Sequence, residues 1–494
     1  MTRAFFPLHK DGQAGAFEAK FSESLESAKS KSFANFGLFI MNDFAGASKS
    51  VTRNNDANLR LVMARRPFLR AMTVIGLWPL ASVSGSAVEE NGAGPNYKKQ
   101  DWVAENDPHY WSWIRSQFSI PPQEAYFNTG TIGACPREVM DAVVDSMREM
   151  ESTVAHYDYR PEHTEYIAGY RAQEALRKKA GNVINANGPD VALTQNATMG
   201  INFVANGLDL KPGDEVLITD QEHPGSMGPW DLRGKRQGIA VKRLAIPIPV
   251  KDPETVVKIF ADAVGPRTKV IAVPHITSRL GIVMPVRELC ELGRARGIFT
   301  LVDGAQAIGQ LRVDVKAVGC DAYAASPHKW LLAPPGNGLL YVTPERQKEI
   351  WATLASAQWN NYAPENGVYR LMQFGTANAA LLAGLDAAID FYLRIGPEKI
   401  ERRIIGLADV LRQGLREIKG VTISSPTHVS LAGAMVTYGV EGVTGQQLQD
   451  ELWKRKNYRV RAQGESLVRQ SVHLYNSPEE IEGTLQVVRS LAKT

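Results

Sequence analysis

From about Tyr97 onward, short apolar runs alternate with longer amphipathic ones. The short runs are DVALTQ (190–195), DEVLITD (214–220), TKVIAVPHI (268–276), IFTLVDGAQ (298–306) and CDAYAAS (320–326). They are rich in β-branched residues and bounded by turn formers, which predicts strands. Between them, PETVVKIFADAV (253–264) and VRELCELGRARG (286–297) place apolar residues at helical spacing. Strands separated by helices build βαβ units, so the expected class is α/β, a mostly parallel sheet with helices on both faces.

After about residue 391 the texture changes. KIERRIIGLADVLRQGLREIKG (399–420) reads as a long amphipathic helix. VTISSP (421–426), AGAMVTYGV (432–440) and SLVRQSVHLYN (466–476) read as strands, and 477–494 closes the chain as a helix. Ser477 with Glu480 three residues on predicts a capping box there. The expected organisation is an N-terminal segment (88–150), a large domain (151–390) and a smaller α+β C-terminal domain (391–494). The small domain is expected to share its core with YFNTGTIGACPREVMDAV (126–143).

Upstream, the pattern is of another kind. MARRPFLRAMTVIGLWPLASVSGSA (63–87) has a positive head, an apolar stretch over 71–83 and small residues ending at Ala87. That is the layout of an export signal. Arg65-Arg66 followed by Phe68-Leu69 resembles the twin-arginine type, although Ala64 and Arg70 depart from it. Pro79 and Ser82 interrupt a run already short for a membrane span, so no stable span is expected. The signal implies a periplasmic or otherwise exported protein, and a cytoplasmic one if that reading fails. It also implies that translation starts at Met63 and that 1–62 is a non-native or disordered extension.

Charge and cysteine usage exclude several classes. The formal net charge is +4 with basic residues dispersed, and no Lys/Arg run carries interleaved aromatics, so no nucleic-acid partner is expected. The three cysteines, Cys135, Cys290 and Cys320, lie far apart, which excludes a disulfide framework and a cysteine metal site; packing is their expected role. No metal motif is present.

In a parallel sheet, ligands bind beyond the carboxyl ends of the strands. After DVALTQ, Asn196-Ala197-Thr198 opens a helix whose free N–H groups form a phosphate seat. After DEVLITD comes Glu222-His223-Pro224-Gly225. Asp303 ends the fourth run, with Gln306 close behind. The fifth is followed by Ser326, His328 and Lys329, ahead of the apolar GNGLLYV (336–342). A lysine pinned between two apolar segments is costly unless its chemistry is used. A phosphate seat, an imidazole, a carboxylate and a lysine on one edge suit pyridoxal 5′-phosphate. The amine condenses with the aldehyde as a Schiff base, and the carboxylate keeps the pyridine nitrogen protonated.

VDGAQ with SPHKW downstream resembles the class V aminotransferases of fold type I, which include cysteine desulfurases, kynureninase and isopenicillin N epimerase-like proteins. The resemblance spans roughly Tyr126 to Leu491. It implies that Lys329 forms the Schiff base, Asp303 pairs with the pyridine nitrogen and His223 stacks on the ring, the three forming the catalytic set. Gln306 would bond the ring hydroxyl, and Thr198, Ser326, His328 and the backbone N–H of Ala197 would hold the phosphate. The segment FGTANAAL (374–381) implies a homodimer in which Thr376 reaches the phosphate of the neighbouring subunit. LVRQSVHLYN implies that Arg469 binds the α-carboxylate of a small amino-acid substrate, with Arg459 and Arg461 as competitors for that role. Asn360, Tyr362 and Tyr369 are further expected pocket residues.

Desulfurases carry a nucleophilic cysteine shortly before this arginine, and NYRVRAQGESLVRQS (457–471) has none. The start of the region and its Gly-Thr segment look closest to isopenicillin N epimerase-like members. The expected activity is Cα chemistry of that kind on an amino acid or derivative. A transaminase or C–S lyase is the alternative, and a non-catalytic protein retaining the cofactor site is the second.

Overall fold

The computed structural model describes residues 107–156, 173–426 and 428–492, all within a unit spanning 92–494. The extension (1–62), the export signal (63–87), residues 88–106 and 157–172 lie outside the described residues. In chain order the first elements are α1 (Pro108–Ser116), β1 (Ala125–Tyr126), α2 (Arg137–Thr153), α3 (Glu174–Val183), β2 (Val191–Thr194), α4 (Ala197–Gly207), β3 (Glu215–Thr219) and α5 (Pro224–Gln237). Next come β4 (Ala240–Leu244), α6 (Pro253–Ala263), β5 (Thr268–Pro274), α7 (Val286–Ala295), β6 (Phe299–Asp303), α8 (Val315–Val318), β7 (Ala322–Ala325) and β8 (Gly338–Val342). The remainder is α9 (Ala379–Ile395), α10 (Pro397–Arg416), β9 (Val421–Ile423), β10 (Met435–Val440), α11 (Gly445–Lys456), β11 (Tyr458–Arg459), β12 (Arg461–Gln463), β13 (Leu467–Ser471) and α12 (Pro478–Leu491).

The central sheet has the order β2-β8-β7-β6-β5-β3-β4. Every residue of β2, β6, β7 and β8 is buried, as a sheet covered on both faces requires. Only β8 is antiparallel to its neighbours, β2 and β7. By reversing between them it leaves those two running the same way. The other ladders are parallel, so six strands present their carboxyl ends on one edge.

β4 is a strand that the apolar pattern hides. It forms the sheet's outer edge, and its exposed Lys242 and Arg243 break the run. Charges on an edge strand discourage pairing with another chain.

The C-terminal part of the chain holds the antiparallel sheet β12-β13-β10-β9. Ile400, Ile404, Leu407, Leu411 and Leu415 make one buried stripe along α10, which packs on α12. The capping box at the start of α12 is present: Ser477 Oγ accepts from Glu480 N at 3.2 Å, and Glu480 Oε2 accepts from Ser477 N at 3.1 Å. The 126–143 segment joins this region. β1 pairs in parallel with β11, and Ser471 N donates to the Phe127 carbonyl at 2.7 Å. That contact carries the NTGT turn (128–131) from the far end of the chain to the edge of β13. Among the described residues, no helix is long and apolar enough to cross a membrane.

Candidate active site

The carboxyl-end loops converge as parallel strands dictate. Asn196 follows β2 and caps α4, accepting from Met199 N at 2.9 Å. Ala197 N donates across the sheet to Ser326 Oγ, just past β7, at 3.0 Å. His223 follows β3 and caps α5, its Nδ1 accepting from Gly225 N at 3.0 Å, so the neutral ring carries its proton on Nε2. Asp303 ends β6, and its Oδ1 accepts from Ala305 N at 2.9 Å.

Ala197, Thr198, His223, Asp303, Gln306, Ser326, His328, Lys329 and Arg469 all line one cavity of about 500 Å³, a size suited to a small ligand. Thr376 does not line it; the side chain is exposed elsewhere on the same chain. Three expectations are corrected. Tyr362 lies under the Arg370 guanidinium, 4.4 Å from its ring centre, Tyr369 is buried in the core, and Asn360 is exposed outside the cavity. The competitor Arg459 is also absent, its guanidinium stacking 4.1 Å from the Trp453 ring, whereas Arg461 does line the cavity. Cys290 and Cys320 are buried and Cys135 is partly so. Burial pushes the Cys135 thiol up to about 11, so it is an unreactive group.

Burial sets the electrostatics. Lys329 is pushed down to about 8, first by burial and then by Arg469 and Arg461, with Asp303 opposing. Its amine therefore becomes a free base as pH rises through about 8, well below the ordinary lysine range. Burial raises Asp303, while the Ala305 N–H, Lys329 and His223 hold it down. Behind it, Glu222 is fully buried with Oε1 on the Thr219 hydroxyl at 2.9 Å and Oε2 without a partner. Burial and the neighbouring Asp303 push Glu222 up to about 8, so it is mostly protonated near pH 7 and Asp303 carries the local negative charge. His223 is lowered by burial and by Lys329, which keeps the ring neutral.

Arg469 is 2% exposed, and burial with Arg461 nearby lowers it to about 10. Its Nη1 donates to the Ser278 carbonyl at 2.6 Å, and Nη2 donates to Thr131 Oγ1 at 2.8 Å and Asn128 Oδ1 at 3.2 Å. Nε has no partner. Among the described residues no carboxylate pairs with this buried cation.

A second layer fixes the lysine loop. Gly133 N donates to the His328 carbonyl at 2.8 Å, and a Cβ on Gly133 would sit 2.0 Å from the Lys329 carbonyl, so only glycine permits the approach. The Trp330 indole N–H donates to Gln306 Oε1 at 2.8 Å. Because indole only donates, this fixes the amide: Nε2 reaches the Gly130 carbonyl at 2.8 Å and keeps a second N–H. His473, stacked between Trp330 and Tyr475, bonds the Trp330 carbonyl through Nε2 at 3.0 Å. Asn128, Thr131, Trp330 and His473 escape a search of strand ends. The adjacency of Trp330 to the lysine was the one local signal.

The residues fit a pyridoxal phosphate group. The buried His328 Nδ1 has no partner, and the hydroxyls of Thr198 and Ser326 stand with it around the α4 N-terminus, a donor set for a phosphate monoester. Gly225 is required there, since a Cβ would lie 2.3 Å from Thr198 Oγ1. Asp303 offers the anion for a ring nitrogen, and Lys329 the amine for an aldehyde.

Residues 126–484 match the aminotransferase class-V family. The chain belongs to that family. It is an α/β enzyme of fold type I, and its cofactor is pyridoxal 5′-phosphate. The chain is 31% identical over 392 residues to the isopenicillin N epimerase of Streptomyces clavuligerus, covering 75% of this chain and 96% of that protein. It is 30% identical over 402 residues to the isopenicillin N epimerase of Amycolatopsis lactamdurans, covering 78% and 99%. Among solved structures, the cystine C–S lyase C-DES in complex with its reaction product cysteine persulfide aligns with a TM-score of 0.67 and 25% identity, covering 75% of this chain and 99% of that one.

Proposed function

We propose that this class V enzyme acts at Cα of an amino acid or amino-acid derivative, in the manner of the isopenicillin N epimerases it resembles. The observation that carries the reading is the buried Arg469, with no carboxylate partner, in one cavity with a lysine whose amine is mostly neutral above about 8. Bound there, pyridoxal 5′-phosphate supplies an aldehyde carbon for an amine and a ring that draws electron density from Cα.

The chain's own residues do the rest. Lys329 would hold the cofactor through Nζ, and the same amine, when free, would be the base that takes the proton from Cα. Asp303 would keep the ring nitrogen protonated, and neutral His223 would pack against the ring. Gln306 has a spare N–H that would serve the ring hydroxyl. Ala197 N, Thr198, Ser326 and His328 would hold the phosphate. Arg469, in the cavity lining, takes the α-carboxylate. Return of the proton to the opposite face inverts Cα. C–S bond cleavage is the runner-up, favoured by the C-DES likeness. Persulfide formation on the protein is disfavoured, because none of the three cysteines lines the cavity.

A mass-spectrometric screen of amino acids in heavy water tests this reading. Exchange at Cα with inversion supports it. A keto acid redirects it to transamination, and an eliminated fragment to lyase chemistry. Silence across a broad panel leaves a non-catalytic cofactor-binding protein.

Two expectations follow from the charges. Arg469→Lys loses the paired donor geometry and raises KM for the amino acid by about 10- to 100-fold, with a smaller change in kcat; an unchanged KM removes Arg469 from carboxylate binding. Covalent capture of the cofactor by the apo-protein accelerates as pH rises through about 8 and then levels off, because Nζ sheds its proton there. Stopped-flow absorbance reads this, and a rate that keeps climbing beyond the ordinary lysine range contradicts it.

Exposed Thr376 is assigned to the phosphate of a second subunit, so the working form is a homodimer; sedimentation of a monomer with full activity refutes this. Export by the 63–87 signal belongs to the same reading, and N-terminal sequencing of protein from the native cell envelope tests it.

A further inference from the structure

The cavity's charge is lopsided. Its lining contains Arg279, Arg461, Arg469 and Lys329 against the single carboxylate of Asp303. The three arginines differ in depth: Arg469 is buried, while Arg461 and Arg279 are exposed at the mouth. Two of them are coupled. Arg469 Nη2 and Arg461 Nη1 both donate to Thr131 Oγ1, at 2.8 and 2.9 Å, and that hydroxyl donates in turn to Asn128 Oδ1 at 2.8 Å. The third comes from the loop between β5 and α7 and reaches the β12–β13 turn: a Cβ on Gly464 would lie 3.8 Å from Arg279 Nη2. Among the described residues no carboxylate pairs with Arg461 or Arg279.

These rim cations are not part of the phosphate seat. Arg461 and Arg469 meet on the Thr131 hydroxyl, in the turn that follows β1, whereas the seat is built by the α4 N-terminus and Ser326. One buried guanidinium suffices for an α-carboxylate, so two more at the mouth point to a second anion further out.

We propose that Arg461, tied to Arg469 through Thr131, and Arg279 across the mouth form a second anion subsite, so that the preferred amino acid carries an acidic group on its side chain. The inference rests on Arg469 taking the α-carboxylate. Arg461 then reads the distal acid at a spacing set by the shared hydroxyl, and Arg279 adds a second guanidinium from the loop between β5 and α7. Two anchored acids fix the side chain as well as the α-carboxylate of the bound amino acid.

Calorimetric titration of the holoenzyme with glutarate and with its monoamide, glutaramate, is the test. Neither compound has an amine, so binding is independent of the lysine chemistry. Glutarate is expected to bind about tenfold or more tightly than glutaramate at low salt. In the Arg461→Gln/Arg279→Gln double variant that preference disappears, while glutaramate affinity moves by less than about twofold. Thr131→Val weakens glutarate in the same direction with both arginines intact. Equal affinities for acid and amide, no binding of either, or a preference that survives in the double variant each overturn the subsite. A silent heavy-water screen alongside an intact glutarate preference refutes the reaction and not the subsite; exchange without the preference refutes the subsite alone.

Discussion

Lys329→Ala is expected to fold, to lose the visible absorbance of bound cofactor after gel filtration, and to turn over on the order of 10³-fold or more slowly than the parent. In the proposed reaction one atom, Nζ, performs both covalent retention and Cα proton removal, so the substitution removes two functions at once. Folding is spared because no strand, cap or ion pair depends on this side chain; the loop is held by its backbone through Gly133 and by Trp330. Stability has a definite sign. The amine sits at about 8 in the folded apo-protein and at 10.5 unfolded. Below 8 both states are protonated and the folded state bears the full cost of a buried cation. Between 8 and 10.5 the folded state has shed its proton while the unfolded state retains it, and stability recovers. Apo Lys329→Ala therefore melts above the apo parent near pH 7, and the gap narrows as pH climbs through that window. Near-parental turnover removes Lys329 from the chemistry, and a lower melting point at neutral pH contradicts the burial argument.

Asp303→Ala is expected to slow turnover by on the order of 10²–10³-fold and to weaken cofactor retention. The carboxylate is buried at the end of β6 with the Ala305 N–H on one oxygen. With Glu222 largely protonated, it supplies the negative charge that the proposed function sets against the ring nitrogen. Asp303→Asn separates charge from hydrogen bonding, because it keeps an acceptor for Ala305 and removes the anion. Activity close to the alanine variant identifies charge as the operative property; activity close to the parent assigns Asp303 a structural role. Glu222→Gln is the matched control, replacing a mostly neutral acid by a neutral amide, with little effect near pH 7.

The frame of the fold was legible because burial on both faces writes β2, β6 and β7 as unbroken apolar runs. The residue following each run then received an address, and Asn196, His223, Asp303 and Ser326 follow directly from that rule. β4 was hidden because an edge strand tolerates Lys242 and Arg243. Arg469 was reached only through its resemblance to a family motif, since it sits on the second sheet and enters the cavity from β13. The supporting layer was not legible at all. Thr131 meets Arg469 across 338 positions of sequence, and His473 meets Trp330 across 143. No local periodicity encodes such contacts. Tyr362 and Tyr369 misled for a related reason: an aromatic in a loop suits a pocket wall as well as a cation–π contact, and Arg370 decides the matter for Tyr362.

The central claim is the tether. Purified protein incubated with pyridoxal 5′-phosphate, reduced with borohydride and digested should give one modified peptide, with the phosphopyridoxyl mass on Lys329 and bleaching of a visible band on reduction. Protein that stays colourless, or that carries the label on another lysine with Lys329 unmodified, contradicts the account.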